Sequence, residues 1–193
     1  ISGSRVVDMR SASRRGIHSF YCFDVDRNFV DFRLAPDDLA AIRFGVSPGH
    51  ELVHAVRVLL RPGEHPLHWV WLARARERVP REAFELFALL VREDGYIPDF
   101  LTSAPRWDLT PSEEAERLRG AALAPLLVDL EKVRIRSTGA RRAAVERMIA
   151  QPRRARTMVA DAWPQLWEAL LGPVWPQLER VLRADVAVRV RRM

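Results

Sequence analysis

Apolar residues recur every three or four positions along most of this chain, and prolines and glycines interrupt the pattern at intervals. Spacing of this kind predicts amphipathic α-helices, and the interruptions mark where each helix begins and ends. The predicted helices cover residues 36–44, 48–60, 66–79, 80–94, 110–120, 121–136, 139–150, 153–171 and 173–193. We therefore expect a mainly α, multi-helix domain.

The N-terminal part of the chain has a different pattern. Residues 21–25 and 30–34 alternate apolar and polar positions on either side of a polar turn. Alternation with a period of two is typical of β-strands, so these residues predict a small N-terminal β-hairpin or strand. Residues 1–19 are rich in arginine and serine and follow no pattern, so they predict a disordered extension or a cloning remnant. Residues 20–193 then form a single helical domain.

Two regions depart from this pattern of helices with clear beginnings and ends. From Gly95 to about Thr110, aromatic residues are mixed with prolines and no periodic pattern holds, which predicts an ordered loop lying over the core. The last predicted helix keeps its pattern to Met193 without a glycine or proline to stop it. We therefore expect the chain to be a truncated or trimmed protein.

Composition narrows the class of protein. Hydrophobic residues make up 48% of the chain and charged residues 29%, a balance typical of a globular protein rather than a disordered one. No run of about 18 uncharged apolar residues exists, so no membrane-spanning segment is expected. The N-terminus lacks the apolar run of a signal peptide. The single cysteine, Cys22, excludes an internal disulfide, and the cytoplasm is the expected compartment.

Positive charge is concentrated near the C-terminus. Residues 134–193 hold 13 arginines against five acids, and residues 134–156 alone hold eight arginines against one acid. Such a segment can neutralise nucleic-acid phosphates. The nucleic-acid-binding candidates are Arg141, Arg142, Arg153, Arg154 and Arg156. The alternative is a solvated helical surface in an arginine-rich chain, and no aromatic residues are interleaved here to stack on bases.

Residues 50–54 read His-Glu-Leu-Val-His, the H-E-x-x-H pattern of zinc hydrolases. One helical turn separates His50 and His54, so both can ligate one zinc ion while Glu51 acts as general base. A catalytic zinc needs a third protein ligand, for which His65 and His68 are the nearest histidines. The alternative is that His50 and His54 lie beside an apolar stripe and bind nothing, and Pro48 favours it by placing His50 in the first helical turn. We predict no metal site.

No other catalytic pattern is present in the sequence. The chain contains no G-x-S-x-G, phosphate-binding loop or G-x-G-x-x-G, and Cys22 has no histidine at motif distance. We therefore expect neither enzymatic activity nor a cofactor.

Three segments together resemble the N-terminal region of a family of bacterial ArsR-like transcriptional regulators. They are LAPDDLAAIRFGVSPGHELVHAVRVLL, GYIPDFLTSAP and LWEALLGPVWPQLERVLRADVAVRVRRM. The residues matching the family pattern are Arg43, Phe44, Ser47, Pro48, Gly95 to Leu101, Trp167, Glu168, Trp175, Pro176, Ala184, Asp185 and Val186. The family's winged helix-turn-helix lies C-terminal to this region and is absent from the chain.

The resemblance implies an effector-sensing and/or dimerisation region that acts on DNA through the missing module. Partners would be a second copy of the chain, DNA through that module, and a small-molecule effector. The residues expected to line an effector pocket are Trp69, Trp71, Tyr96, Phe100, Trp107, Trp167 and Trp175, with Trp163 nearby. The alternative is that these aromatics are core and dimer-seam residues.

Regulation is thus the function that the sequence favours. A zinc-dependent hydrolase using His50, Glu51 and His54 and a stand-alone nucleic-acid-binding protein using the arginine-rich segment remain the alternatives.

Overall fold

The computed structural model describes residues 44–92, 96–102 and 109–191, and within them nine α-helices. The helices are α1 Pro48–Leu60, α2 Trp69–Arg78, α3 Arg81–Leu90, α4 Asp99–Thr102, α5 Pro111–Gly120, α6 Leu123–Ile135, α7 Gly139–Ala150, α8 Pro152–Leu170 and α9 Trp175–Arg191. The mainly helical prediction is therefore confirmed. The hairpin predicted at residues 21–34 and the extension predicted at residues 1–19 lie outside the described residues, as does the helix predicted at 36–44 except for Phe44.

Helix beginnings follow local capping chemistry. Ser47 is the N-cap of α1, and its hydroxyl accepts a hydrogen bond from the amide of His50 at 3.3 Å. Thr110 caps α5 in the same way, and the side chain of Glu113 accepts a hydrogen bond from the amide of Thr110 at 2.8 Å, which completes a capping box. These contacts satisfy amide groups that have no partner inside a helix. Both helix starts agree with the sequence prediction.

Three differences from the predicted helices exceed two residues. α3 ends at Leu90, and Val91 continues in an extended conformation with its side chain fully buried, so tertiary packing ends this helix before Gly95. The predicted loop contains α4, whose Phe100 and Leu101 are buried. Residues Pro66–His68, predicted to open a helix, form a 3₁₀ turn that leads into α2.

α8 is the central helix of the unit that begins at Phe44. It packs against α1, α2, α3, α5, α6 and α7. Its buried positions recur at helical spacing and are Ala155, Val159, Ala160, Ala162, Trp163, Leu166, Trp167 and Leu170. Burial of this apolar face is the main contribution that holds the surrounding helices in place.

α9 follows α8 after a short turn and is the most exposed of the long helices described. Trp175 is its only buried residue, whereas Val181, Val188 and Val190 are exposed. Within the helix, ion pairs four residues apart join Glu179 to Arg183 and Asp185 to Arg189. None of the described helices is long and apolar enough to cross a bilayer.

Candidate functional site

The histidines of the H-E-x-x-H segment lie on the outer face of α1. Leu52, Val53 and Val56 face the core, and His50 and His54 are both exposed. The Nδ1 atom of His50 lies 3.1 Å from the hydroxyl of Ser47, so one ring nitrogen is already held by the helix cap. Both the amide and the ring of His50 therefore contact the capping residue Ser47.

Local electrostatics around these residues follow from burial and from their mutual proximity. Partial desolvation lowers the pKa of His50, and neighbouring His54 lowers it further, while Glu114 opposes the shift. Desolvation raises the pKa of Glu51, and His54 opposes this. Both shifts favour the neutral forms of His50 and Glu51.

The additional histidines lie after α1. His65 stands between two 3₁₀ turns, Pro62–Glu64 and Pro66–His68, and His68 ends the second. The rings of His65 and His68 are 6.1 Å apart, and His68 contacts the edge of Trp71. Among the described residues, no group of three His, Cys, Asp or Glu side chains is placed to share a metal ion. A third ligand for His50 and His54 is thus not assembled in this part of the chain.

The candidate pocket tryptophans occupy different environments. Trp163 stacks on Trp167 at 5.2 Å between ring centroids, and Trp167 meets Trp175 edge-on at 4.7 Å. All three are buried in the core. Trp71 is half-buried, and its Nε1 donates a hydrogen bond to the carbonyl of Leu170 at 2.8 Å. These four indoles join α2, α8 and α9 by direct packing.

Two other aromatic candidates lie apart from this cluster. Trp69 is 64% exposed at the start of α2, next to exposed Leu67 and Val70. Trp107 lies outside the described residues. The tryptophan candidates are therefore not brought together around one space in the described part of the chain.

Tyr96 and Phe100 meet at a buried carboxylate on α6. Asp129 is 2% exposed and accepts hydrogen bonds from the Tyr96 hydroxyl and, at 2.8 Å, from the amide of Phe100. Lys132 lies one turn further along α6 and donates to the Tyr96 oxygen at 3.0 Å and to Asp129 at 3.3 Å. These contacts fasten residues 96–100 to α6. We call Tyr96, Asp129 and Lys132 the loop anchor.

Charges around the loop anchor strengthen it. The ammonium group of Lys132 and the guanidinium group of Arg136 lie 4.9 Å and 5.3 Å from the Tyr96 ring centroid. Burial, together with the hydrogen bond to Asp129, raises the pKa of Tyr96 to about 12. The hydrogen bond to Tyr96 and the carboxylate of Asp129 raise the pKa of Lys132 above its usual range. The phenol stays protonated and the amine stays charged at neutral pH.

A second buried carboxylate joins α1, α4 and α5. Glu114 is 1% exposed and accepts two hydrogen bonds from Arg117, the shorter at 2.7 Å. Arg117 also donates to the carbonyl of Phe100 at 3.1 Å. A methyl group added at Gly49 would lie 2.5 Å from the Glu114 carboxylate and 2.8 Å from the carbonyl of Leu101. Gly49 therefore permits α1 to approach this pair closely.

The arginine candidates for nucleic-acid binding divide into two groups. Arg141 donates to the carbonyl of Leu89 at 2.6 Å, and Arg156 donates to the carbonyl of Ala121 at 2.8 Å. Both side chains are half-buried and fasten one helix to the end of another. Arg142 is exposed and pairs with Glu146. Arg153 and Arg154 are exposed at the start of α8.

The sequence patterns did not single out Asp129, Lys132, Glu114 or Arg117. A signal was present, since each acid is followed three residues later by a base on the same helix. Asp129 also interrupts the apolar run of α6.

Comparison with known proteins adds no family, because no family model, curated protein or solved structure matches the chain.

Proposed function

We propose that this chain is the regulatory region, for effector sensing and/or dimerisation, of an ArsR-like transcriptional regulator. In this proposal the region has no catalytic role, and DNA is read by a winged helix-turn-helix module C-terminal to it. The single observation that supports the proposal is the packing of the three segments on which the resemblance rests.

The described parts of those segments meet in one core. In the first, α1 packs closely against the second at Gly49, where a backbone approach to Leu101 leaves no room for a side chain. The second segment is fastened to α6 by Asp129, and α6 packs on α8. In the third, Trp167 of α8 packs on Trp175 of α9. Among the matching residues, Phe100, Leu101, Trp167 and Trp175 therefore have structural reasons to occur together.

A helical region of this kind can regulate a DNA reader by its pairing geometry. Dimeric winged-helix proteins read two half-sites about one helical turn of DNA apart, so a change in subunit geometry changes operator affinity. An effector acts only to the extent that it binds one arrangement of the dimer more tightly than another. Cytoplasmic location follows from the function proposed.

The test begins with the gene. Its reading frame is sequenced past Met193, and we expect roughly 80–150 further residues that contain a helix-turn-helix and a β-wing. The longer protein is then assayed by mobility shift against DNA upstream of its own gene, with the present chain alone as control. Only the longer protein is expected to give a sequence-specific shift. A stop codon directly after Met193, or a specific shift by the present chain alone, contradicts the proposal.

A further inference from the structure

An apolar groove of about 430 Å³ lies between α3, α7 and α8. Its apolar lining includes Leu86 and Leu89 from α3, Met148 from α7 and Met158 from α8. The volume lies in the range of small-molecule binding sites, which are typically lined by apolar side chains with a few polar groups at defined places. Of the aromatic pocket candidates that the structure describes, none lines this groove.

The charged groups at the groove rim leave an excess of positive charge. Arg147 and Arg154 are exposed there, on successive helices. Within the described part of the chain, the Arg147 side chain has no hydrogen bond or ion pair, and the Arg154 side chain has only a long hydrogen bond of 3.4 Å to Gln151. Glu85, the one acid among the described residues that line the groove, is paired with Arg81 at 2.8 Å. Two cationic side chains are thus available to an incoming anion.

One hydrogen bond joins two of the helices that line the groove. Arg141 of α7 donates a hydrogen bond to the carbonyl of Leu89 at 2.6 Å, which ties the end of α3 to the start of α7. A preformed groove avoids the cost of ordering its walls when a ligand binds.

We propose that this groove binds an amphipathic anion, a small molecule with a hydrocarbon chain and a carboxylate or similar acidic head. The chain lies over Leu89, Met148 and Met158, and the head group lies between Arg147 and Arg154, whose guanidinium groups match a carboxylate in charge and geometry. That this groove is the effector site rests on the proposed regulatory function. Binding of the anion can be measured on this chain alone.

Calorimetric titration of the chain with dodecanoate below its micelle concentration tests the proposal. Saturable one-to-one binding is expected, with 1-dodecanol and dodecyltrimethylammonium each weaker by about tenfold or more because they lack the negative head. Arg147→Ala and Arg154→Ala are each expected to weaken dodecanoate binding by about tenfold. Arg153→Ala is the matched control, since it removes the same charge from the same helix outside the groove, and binding should change by less than about twofold.

A substitution at Met158 tests the apolar lining of the groove. Met158→Glu places a negative charge in the groove at a side chain that is 44% exposed, so the fold should tolerate it and dodecanoate binding should be lost. Circular dichroism of each variant separates lost binding from lost structure.

The proposal is overturned by absence of saturable binding, by equal binding of the alcohol, or by equal effects of Arg153→Ala and Arg154→Ala. It is also overturned if Met158→Glu halves the mass in solution and leaves dodecanoate binding unchanged, since the groove is then an interface between copies. Failure here leaves the reading-frame and DNA-shift experiment unaffected, so the two proposals fail separately.

Discussion

At the scale of single residues, buried carboxylates join separate helices of the described core. Asp129 joins α6 to residues about 30 positions away in the sequence, through Tyr96 and the amide of Phe100. Glu114 and Arg117 join α5 to the carbonyl of Phe100. A buried carboxylate is stable only when its oxygens are hydrogen-bonded or paired, and both are.

Replacing Asp129 should therefore destabilise the protein strongly. In Asp129→Ala the buried amide of Phe100 loses its acceptor and Lys132 loses a counter-ion, and we expect a loss of about 2–4 kcal/mol in the free energy of unfolding. Asp161→Ala is the control, because Asp161 pairs with Arg119 on the surface, and its loss should be within about 0.5 kcal/mol. Urea denaturation followed by circular dichroism measures both. Equal losses contradict a structural role for Asp129.

Tyr96 should titrate at unusually high pH. Its pKa is raised to about 12 in the folded protein, against about 10 in an unfolded chain. The protonated phenol is favoured by folding, so its stabilisation is present below about pH 10 and is lost as pH rises towards 12. The difference in tyrosinate absorbance between the protein and Tyr96→Phe should have a midpoint near 12, and near 10 in guanidinium chloride. A midpoint near 10 without denaturant would contradict the loop anchor.

At the scale of helices, local chemistry determines most of the boundaries. Ser47, Thr110 and the prolines that follow them are recognisable in the sequence because capping needs only neighbouring residues. Val91 and α4 were not predictable in this way. Val91 leaves the helical conformation to be buried, and α4 is held by Asp129 from a distant helix, so both depend on tertiary packing.

The close approach of α1 to α5 depends on Gly49. Gly49→Ala should cost about 1–3 kcal/mol in the free energy of unfolding, because the new methyl group meets the Glu114 carboxylate and the backbone of Leu101. Gly120→Ala is the matched control: an added methyl there meets nothing within 4 Å, so stability should be unchanged or slightly higher. Thermal and urea denaturation compare the two. A destabilisation by Gly120→Ala as large as that by Gly49→Ala would argue against helix packing as the cause.

At the scale of the whole molecule, α8 lies at the centre of the described core, whereas most of α9 is exposed. The central role of α8 follows from its apolar face, which the sequence shows. The site residues are less predictable. Residue type and local spacing point to the histidines, tryptophans and arginines. The loop anchor and the groove instead bring together residues that are far apart in the sequence. A local pattern does not show which distant residues will be in contact.

The subunit pairing that we propose is expected to use α9. Val181, Ala184 and Val188 are exposed at the spacing of a helix-pairing seam. If the protein dimerises through this face, Val181→Arg should reduce the mass measured by light scattering from two chains to one. Val190→Arg is the matched control, because by helical geometry Val190 lies on the opposite side of α9, and the dimer should persist. A dimer unaffected by Val181→Arg excludes this surface.

The loop anchor has one more consequence, because Lys132 is the only lysine in the chain. A lysine-specific endoproteinase has a single peptide bond to cut, and that bond lies inside α6, next to buried Val133. Cleavage requires α6 to open, so the rate at which two fragments accumulate follows the population of the open form when opening is fast. Digestion at this single bond thus reports local unfolding of α6. Any compound that tightens the attachment of residues 96–102 should slow the digestion.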